Sequence, residues 1–378
     1  MKKTILVKVS TIFKPVRGDI RYVSGIGRST YQMLKALSEI EDLPFDVRLY
    51  GAGLSTFYTT ARDLPFKYNC FLPPESIGVR LTSLENYFIS KVYKNDLLHI
   101  PHNVDPMMKS KMTFVDTVHD LYHYDKMKDE GNQKWIDLWN IMIYRSKGLV
   151  TCSEYTKQDI LAKFNIPEEK VTVVPWGISL DMFKKLPSNA IRDCLSRLRI
   201  AGDYFLAVSC ADPRKNIWNL LKAFRNYLTL NKEAKMVLLW STPPKEMLDT
   251  YAVEINKGNI IFLNYVTDDE LVALYNGAKA TMYPSRYEGF GFPILESYAC
   301  GTPVMTCKNS SLYEVGGDYS TYVGEDNIDE MTQVMEMYDK GLFDKKLFEQ
   351  NVGDYVKKFT WSNTAKGYVN FYSKCLYE

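Results

Sequence analysis

The sequence predicts an α/β protein with two doubly wound domains, each a parallel sheet covered by helices on both faces. Three observations lead to this fold class. The chain has 378 residues, which is too long for one ordinary core and suits two domains. Short runs rich in β-branched residues alternate with helix-length amphipathic stretches. The runs are apolar throughout, which is typical of strands in parallel sheets buried on both faces.

Strand candidates occur in both halves of the chain. Those of the first half are Thr4–Val9, Asp46–Tyr50, Leu97–Ile100, Thr113–Val118, Gly148–Ser153 and Val171–Pro175. Those of the second half are Tyr204–Ser209, Met236–Trp240, Ile260–Leu263, Ala280–Pro284 and Pro303–Cys307. The predicted helices between them are Gly27–Ser38, Lys134–Arg145, Ser153–Phe164, Ile217–Leu230 and Leu271–Gly277. Thr267 and Glu270 form the capping-box pattern that opens the last of these.

The alternation loosens at Asp181–Arg199, a polar stretch that we interpret as the domain boundary. The prediction is one domain over residues 1–185, a second over 186–360, and a terminal helix over 361–378 that Ser362 caps. Ligands of doubly wound sheets bind beyond the carboxyl ends of the strands. We therefore expect the active site in a central cleft between two facing domains.

Composition and charge narrow the class of protein. The net charge of +2 gives no reason to expect a nucleic-acid partner. Residues 1–185 carry 26 Lys and Arg against 21 Asp and Glu, and the remainder 21 against 24. The excess in the first half fits either ordinary solvated surface or contact with an anionic acceptor or membrane.

We expect a cytoplasmic protein. The apolar run after Met1 ends at Lys8, too early for a signal peptide, and no stretch reaches the length of a membrane span. The seven cysteines are odd in number and scattered, which suits buried thiols in a reducing compartment better than disulfides or a zinc site.

The segment Pro284–Glu296 carries the most specific pattern for chemistry. Glu288 is followed by a glycine-rich turn, and a helix is predicted to start near Phe292, so that Glu296 lies about one turn inside it. Carboxylates accept hydrogen bonds from paired sugar hydroxyls. Free amides of Gly289, Phe290 and Gly291 at a helix start can receive a phosphate. Two surface glutamates flanking a turn are the alternative interpretation.

Two other loops follow strands and precede helices. Arg214 and Lys215 in Asp212–Asn216 bring two adjacent cations to a place where an anion could bind, although an ordinary charged loop has the same composition. Gly25 in the run Ser24–Arg28 could let backbone amides approach a phosphate at a helix start. The spacing is not G-x-G-x-x-G, so a simple tight loop remains an equal alternative.

Histidines end two strands of the first half. His119, in Thr117–Asp120, follows a predicted strand. It could equally be a packed residue or one that faces the cleft. His99 and His102 follow an earlier strand, and for both the structural interpretation is favoured.

Taken together, these segments resemble glycosyltransferase family 4 over nearly the whole chain. The motifs are Ser24–Arg28, Val118–Leu121, Ser153–Ile160, Pro213–Asn216, Glu288–Glu296, Ala299–Val304 and Leu312–Asp318. The resemblance implies the GT-B fold, in which two Rossmann-like domains face each other. The first would bind the acceptor and the second the nucleotide-sugar, and the terminal helix would cross back onto the first.

The resemblance also implies roles for individual residues. Gly25 would approach the donor diphosphate, and Arg214 and Lys215 would bind it and stabilise it as it leaves. Glu288 would hold hydroxyls of the transferred sugar, with backbone contacts from Phe290 and Gly291. Glu296 would bind the ribose, and His119 would lie beside the donor sugar.

The expected reaction is a hexosyl transfer that retains the anomeric configuration and needs neither metal nor cofactor. Cations and amides can stabilise the leaving diphosphate, and the loops expected at the cleft carry no Asp-x-Asp motif. By resemblance to bacterial surface-polysaccharide mannosyltransferases, the donor is expected to be GDP-mannose and the acceptor a growing surface glycan or lipid-linked oligosaccharide. Met107–Met112 and Tyr122–Lys128 are candidates for peripheral membrane contact at the inner face of the cell membrane.

Other functions stay open on the sequence alone. A UDP- or dTDP-sugar could replace the GDP-sugar as donor. A nucleotide-sugar epimerase of the same architecture would convert the donor without an acceptor, and Gly25–Gly27 weakly suggests a dinucleotide-dependent oxidoreductase. One departure from the family pattern has no functional account at this level, namely Trp176 where asparagine is usual.

Overall fold

A computed structural model describes residues 2–12, 25–52, 60–71, 95–105, 112–208 and 211–378. Ser24, residues 107–111 and Ser209, which belong to three of the segments discussed above, lie outside the described residues. The chain divides into two compact units, Met1–Gly177 with Trp361–Glu378, and Ile178–Thr360. The terminal segment therefore packs with the first unit.

The first unit ends at Gly177, whereas the predicted domain ended at residue 185. Contacts to the second unit explain the difference. Phe183 packs against Tyr275 with ring centroids 6.1 Å apart, and Asn276 hydrogen-bonds the backbone of Lys184 and Leu186. The stretch that we interpreted as a boundary also contains a helix, Ser188–Arg197, which packs on Asp268–Gly277.

The first unit is built on a parallel sheet in the strand order β3-β2-β1-β4-β5-β6-β7. Its described strands are β1 (Thr4–Lys8), β2 (Asp46–Ala52), β3 (Lys67–Phe71), β4 (Leu97–Ile100), β5 (Phe114–Val118), β6 (Gly148–Thr151) and β7 (Val171–Val173). Its described helices are α1 (Gly25–Ser38), α2 (Tyr122–Asp129), α3 (Gln133–Arg145) and α4 (Glu154–Lys163). The central strands β1, β4, β5 and β6 are buried along their whole length, as their mainly apolar sequences predict, although the buried residues include His99 of β4 and Asp116 of β5.

The second unit has its own parallel sheet in the order β10-β9-β8-β11-β12-β13. Its strands are β8 (Phe205–Ala207), β9 (Met236–Leu239), β10 (Ile260–Leu263), β11 (Ala280–Tyr283), β12 (Val304–Cys307) and β13 (Thr321–Val323). Its helices are α5 (Ser188–Arg197), α6 (Ile217–Tyr227), α7 (Lys245–Thr250), α8 (Ala252–Asn256), α9 (Asp268–Gly277), α10 (Phe292–Ala299), α11 (Ser310–Gly316), α12 (Ile328–Asp339) and α13 (Lys345–Val356). Thr267 and Glu270 form the predicted capping box at the start of α9.

The last helix, α14 (Trp361–Tyr377), belongs to the first unit and packs against α1. Its apolar side is buried, including the predicted Tyr368, Phe371 and Tyr372. The prediction that Ser362 caps this helix was wrong, because the helix already begins at Trp361. A parallel bridge between Thr360 and Ile178 holds the chain just before the helix begins.

Candidate functional site

The loop between β11 and α10 carries Glu288, and its backbone is fixed by a glycine. Gly291 precedes α10 with φ at 119°, a backbone conformation that residues with a Cβ rarely adopt. A Cβ at this position would also approach Leu312 to 3.2 Å. The helix then begins at Phe292, as predicted, with Pro293 in its first turn. The glycine therefore has a structural reason to be there, besides any contact with a ligand.

Lys215 and Glu288 form a buried ion pair, so the structure brings together two candidates from separate loops. Their side chains are only 9% and 8% exposed. Ser285 donates its hydroxyl to Glu288 Oε1 at 2.6 Å, and the Tyr283 hydroxyl lies 3.1 Å from Lys215 Nζ. Buried charges are stable when they are paired and hydrogen-bonded in this way.

Arg214 lies beside this pair at the carboxyl end of β8. The short 3₁₀ turn Pro213–Lys215 is capped by Asp212, which accepts a hydrogen bond from the Arg214 amide at 3.0 Å and lies 3.2 Å from the Arg214 side chain. The Arg286 amide donates to the Arg214 carbonyl at 2.8 Å, which ties the turn to the Glu288 loop. The two predicted cations and Glu288 thus occupy one corner of the second unit.

Two serines at the start of α11 hold the backbone around Glu288, and the sequence pattern did not identify them. Ser310 accepts a hydrogen bond from the Glu288 amide at 3.1 Å. Ser311 donates to the carbonyls of Glu288 and Phe290 at 2.8 and 2.7 Å. Both serines are more than twenty residues away in sequence, and serines are common at helix starts for capping reasons alone, so the pattern did not mark them.

Glu296 points from the second turn of α10 towards a buried phenol. The Tyr275 hydroxyl donates to Glu296 Oε2 at 2.7 Å and so fixes the orientation of the carboxylate. Burial, together with the charge of Glu296, raises the pKa of Tyr275 well above its usual value, which keeps the phenol a donor. Tyr275 was not among the predicted site residues.

Tyr283 was not among the predicted site residues either, and it lies close enough to Glu288 and Glu296 for both charges to act on it. Burial raises its pKa well above the usual value, and the nearby charges of Glu288, Arg214 and Glu296 all act on it. Its place as the last residue of β11, at the carboxyl end of a central strand, is the sequence feature that could have identified it.

The remaining predicted residues, Gly25 and His119, lie in the first unit. Gly25 begins α1, and a Cβ built on it meets no atom of the described residues within 4 Å. His119 follows β5. Its Nε2 lies 3.0 Å from the Pro101 carbonyl, and its amide donates to Asn103 Oδ1 at 3.0 Å. Burial lowers the pKa of His119, although the Pro101 carbonyl and Asp120 act in the opposite direction.

His99 has the structural role that was favoured. Its two ring nitrogens lie 2.8 Å from the Thr117 hydroxyl and 2.7 Å from the Tyr372 hydroxyl, so the ring joins β4 to β5 and to α14. Burial lowers the pKa of His99 to about 3. His102 lies 3.6 Å from Asp105, which forms a buried ion pair with Lys8 at 2.7 Å.

A buried cation and backbone amides at a helix start can bind an anion, while the carboxylate beside them can bind hydroxyl groups of the same ligand.

Two protein-family models match the chain. One, described as Glycosyltransferase Family 4, matches residues 23–182, and the other, Glycosyl transferases group 1, matches residues 199–340. The chain belongs to the glycosyltransferases. The dinucleotide-dependent oxidoreductase is thereby set aside.

Individual relatives agree with this family. The chain is 24% identical over 386 residues to the O-antigen chain mannosyltransferase B of Escherichia coli, covering 93% of this chain and 97% of that protein. It is 28% identical over 231 residues to the O-antigen chain mannosyltransferase RfbU of Salmonella typhimurium, covering 60% of each.

Solved structures share the fold of this glycosyltransferase. A glycosyltransferase from Rickettsia africae matches with a TM-score of 0.76 at 19% identity, covering 100% of this chain and 99% of the other. WaaG, a glycosyltransferase involved in lipopolysaccharide biosynthesis, matches with a TM-score of 0.74 at 14% identity, covering 97% and 99%. Anabaena Alr3699/HepE in complex with UDP and glucose matches with a TM-score of 0.73 at 14% identity, covering 99% and 100%. The predicted α/β class and GT-B fold are confirmed.

In the described part of the chain, no helix combines the length and apolar character that a membrane span needs. The same residues contain no group of three or more His, Cys, Asp and Glu side chains arranged to hold a metal ion. Metal independence stays a prediction.

Proposed function

We propose that this glycosyltransferase transfers mannose from GDP-mannose to a growing surface glycan or lipid-linked oligosaccharide, with retention of configuration and without a metal. The buried pair of Lys215 and Glu288 beside Arg214 is the observation that carries the proposal. The choice of mannose and of a surface glycan rests on the relatives named as O-antigen chain mannosyltransferases.

The charges of the site suit the departure of a diphosphate. As the bond to the anomeric carbon breaks, negative charge develops on the leaving diphosphate and positive charge on the sugar ring. Arg214 and Lys215 are held at the carboxyl end of β8 before the reaction begins, so they can stabilise the first charge with little reorganisation. This fixed positive charge supports a reaction that needs no metal.

The proposed contacts of Glu288 follow from its pairing. In the absence of donor, Glu288 neutralises the buried Lys215. A bound diphosphate would take over this role, which frees carboxylate lone pairs of Glu288 for hydroxyls of the transferred sugar. Amides of Gly289, Phe290 and Gly291, at the start of α10, are the proposed backbone donors.

Glu296 is proposed to bind the ribose through its carboxylate, which the hydrogen bond from the Tyr275 hydroxyl orients. Gly25 is proposed to approach the diphosphate at the start of α1, where a side chain is absent and space is open among the described residues. His119 is proposed to contact the donor sugar from the first unit.

Retention is proposed through attack of the acceptor hydroxyl on the face from which the diphosphate leaves. In such a reaction the departing phosphate oxygen takes the proton of the hydroxyl, so no side chain has to act as a strong base. The test is the anomeric configuration of the product, read by NMR from the coupling between H1 and C1. An inverted product would contradict retention.

A UDP-sugar is the second candidate donor. It is favoured by the similarity to Alr3699/HepE, whose structures contain UDP with glucose and UDP-glucose. A thermal-shift panel of GDP, UDP, dTDP and ADP separates the candidates, since a ligand at about 100 times its dissociation constant contributes about 2.7 kcal/mol of stability. We expect GDP to give the largest rise in Tm. If UDP gives the largest rise instead, a UDP-sugar replaces GDP-mannose as the proposed donor.

Peripheral membrane contact is a further part of the proposal. Tyr144, near the end of α3, is 51% exposed. Amphipathic aromatic rings of this kind favour a membrane interface. The excess of Lys and Arg over Asp and Glu within residues 1–185 supports attraction to anionic lipid. Sedimentation with anionic and with neutral vesicles tests it, and no binding to either would contradict it.

A further inference from the structure

Trp176 lies in the interior of the first unit, between a proposed site residue and the last helix of the chain. It is 3% exposed. On one side its ring stacks on His119, with centroids 5.8 Å apart and planes 22° apart. On the other side it stacks on Tyr368 of α14, with centroids 5.9 Å apart and planes 21° apart. Trp361, the first residue of α14, also contacts Trp176, with centroids 5.9 Å apart and planes 45° apart. We call the stacked rings of His119, Trp176 and Tyr368 the column.

The base of this column is fixed by several contacts between α14 and the segment after β7. Thr364 donates its hydroxyl to the Pro175 carbonyl at 2.8 Å, immediately before Trp176. Gly367 approaches Val174 so closely that a Cβ would lie 2.7 Å from its side chain. The Tyr368 hydroxyl lies 3.1 Å from the Thr117 hydroxyl of β5. Trp176 therefore has little freedom to move away from His119.

The far end of the column is fixed by the hydrogen bond of His119. Its Nε2 lies 3.0 Å from the Pro101 carbonyl, and a carbonyl oxygen can only accept. In the neutral ring the hydrogen therefore resides on Nε2, and Nδ1 is left with a lone pair. Burial lowers the pKa of His119, in the direction that favours this neutral form. A ring fixed in this tautomer can accept a hydrogen bond from a sugar hydroxyl through Nδ1.

We propose that Trp176 is a positioning residue, through which α14 holds the ring of His119 in one orientation and one tautomer for contact with the reacting sugar. This inference rests on the proposed function for the part that concerns catalysis. It gives a role to the residue that departs from the family pattern, and it makes the terminal helix a support of the active site.

The first test uses ¹⁵N NMR of the full chain with labelled histidine. The chain contains four histidines, and comparison with His119→Gln assigns the His119 signals. Wild type is expected to show the Nε2–H tautomer. Trp176→Ala is expected to mix the two tautomers, and Trp176→Phe to keep the wild-type pattern because it retains an aromatic ring. Unchanged His119 signals in Trp176→Ala would overturn the proposal.

The second test compares two changes in the same helix. Tyr368→Leu removes a ring that stacks on Trp176, together with the hydroxyl contact to Thr117. Phe371→Leu removes a buried ring that meets Tyr368 edge-on, with centroids 6.4 Å apart, and that has no ring contact with Trp176 among those described. We expect kcat to fall about ten-fold in Trp176→Ala, which removes two stacking contacts, and about three-fold in Tyr368→Leu, which removes one of them, with donor KM changed by less than about two-fold. Phe371→Leu is expected to keep the wild-type kcat.

Equal effects of Tyr368→Leu and Phe371→Leu on kcat would show that the ring contacts act only as ordinary helix packing, and would overturn the proposal. If Trp176→Ala does not fold, as judged by its melting curve, Trp176→Phe and Tyr368→Leu still decide. If wild type shows no transfer at all, the proposed function fails, while the tautomer of His119 still reports on the positioning by Trp176.

Discussion

The pair of Lys215 and Glu288 gives the sharpest prediction, because its contribution to the fold and its contribution to the reaction can be separated. Both side chains are more than nine-tenths buried. Removing one partner leaves a buried charge without its counter-charge, which costs about 3–5 kcal/mol. Lys215→Met and Glu288→Gln should therefore each lower the stability of the second unit by about 3 kcal/mol. In a domain of this size this corresponds to a fall in Tm of about 6–12 °C.

The double variant should recover most of this loss. With both charges gone, the remaining cost is the hydrogen bond between Lys215 and Tyr283, about 1 kcal/mol. Additive effects would instead give about 6 kcal/mol, so the predicted coupling is about 5 kcal/mol. Transfer activity should stay abolished in the double variant, since neither the proposed diphosphate cation nor the proposed sugar-binding carboxylate is present.

Urea unfolding of the full chain, with hydrogen exchange of the α6 and α10 amides to report on the second unit, measures the coupling. Lys222→Met, an exposed lysine on α6, is the matched control and should change stability by less than about 0.5 kcal/mol. If the two losses of stability add up in the double variant, the stabilising interaction between Lys215 and Glu288 is refuted. Recovery of both stability and transfer would refute its role in the reaction.

Three further predictions concern single residues. Gly25→Ala should leave Tm unchanged, because its Cβ meets no described atom within 4 Å, and should raise donor KM about ten-fold; an unchanged KM would remove Gly25 from the site. Tyr275→Phe should weaken GDP binding about ten-fold, as expected when a hydrogen bond of about 1.5 kcal/mol to a carboxylate is lost. Tyr204→Phe, which loses a buried bond to the Leu274 carbonyl, should leave the Kd of GDP unchanged, and equal Kd values for the two variants would count against Glu296. Between pH 6.5 and about 3 the unfolded chain binds a proton at His99 that the folded chain does not. Stability therefore falls by about 1.4 kcal/mol for each unit by which the pH is lowered in this range. His99→Gln should remove that part of the slope in acid unfolding curves.

The sequence predicted the central strands and the Glu288 loop well, because these features have strong local causes. Continuous apolar runs fix the buried strands, and the glycine and proline pattern around Gly291 fixes the start of α10 at Phe292. It missed β3 and β13, which lie at the edges of their sheets. In β3 the polar Lys67 and Asn69 interrupt the apolar run on which the predictions were based.

The supports of the site could not be predicted, since they depend on side chains that meet only in the folded chain. Tyr275 reaches Glu296, and Ser311 reaches the Glu288 loop, from elements whose own patterns say nothing about a ligand. Trp176 meets His119 and Tyr368 across separations of more than fifty residues in sequence. Local patterns identify the residues that carry charge, but not those that hold them in place.

One measurement tests the central claim most directly, namely transfer from each of GDP-, UDP- and dTDP-hexoses to a lipid-linked or surface-glycan acceptor in the presence of EDTA. We expect release of the nucleoside diphosphate in equal amount to a glycosylated acceptor whose new linkage has the configuration of the donor, and loss of this activity in Lys215→Met. Consumption of none of these donors would contradict it. So would conversion of a donor to its epimer without an acceptor.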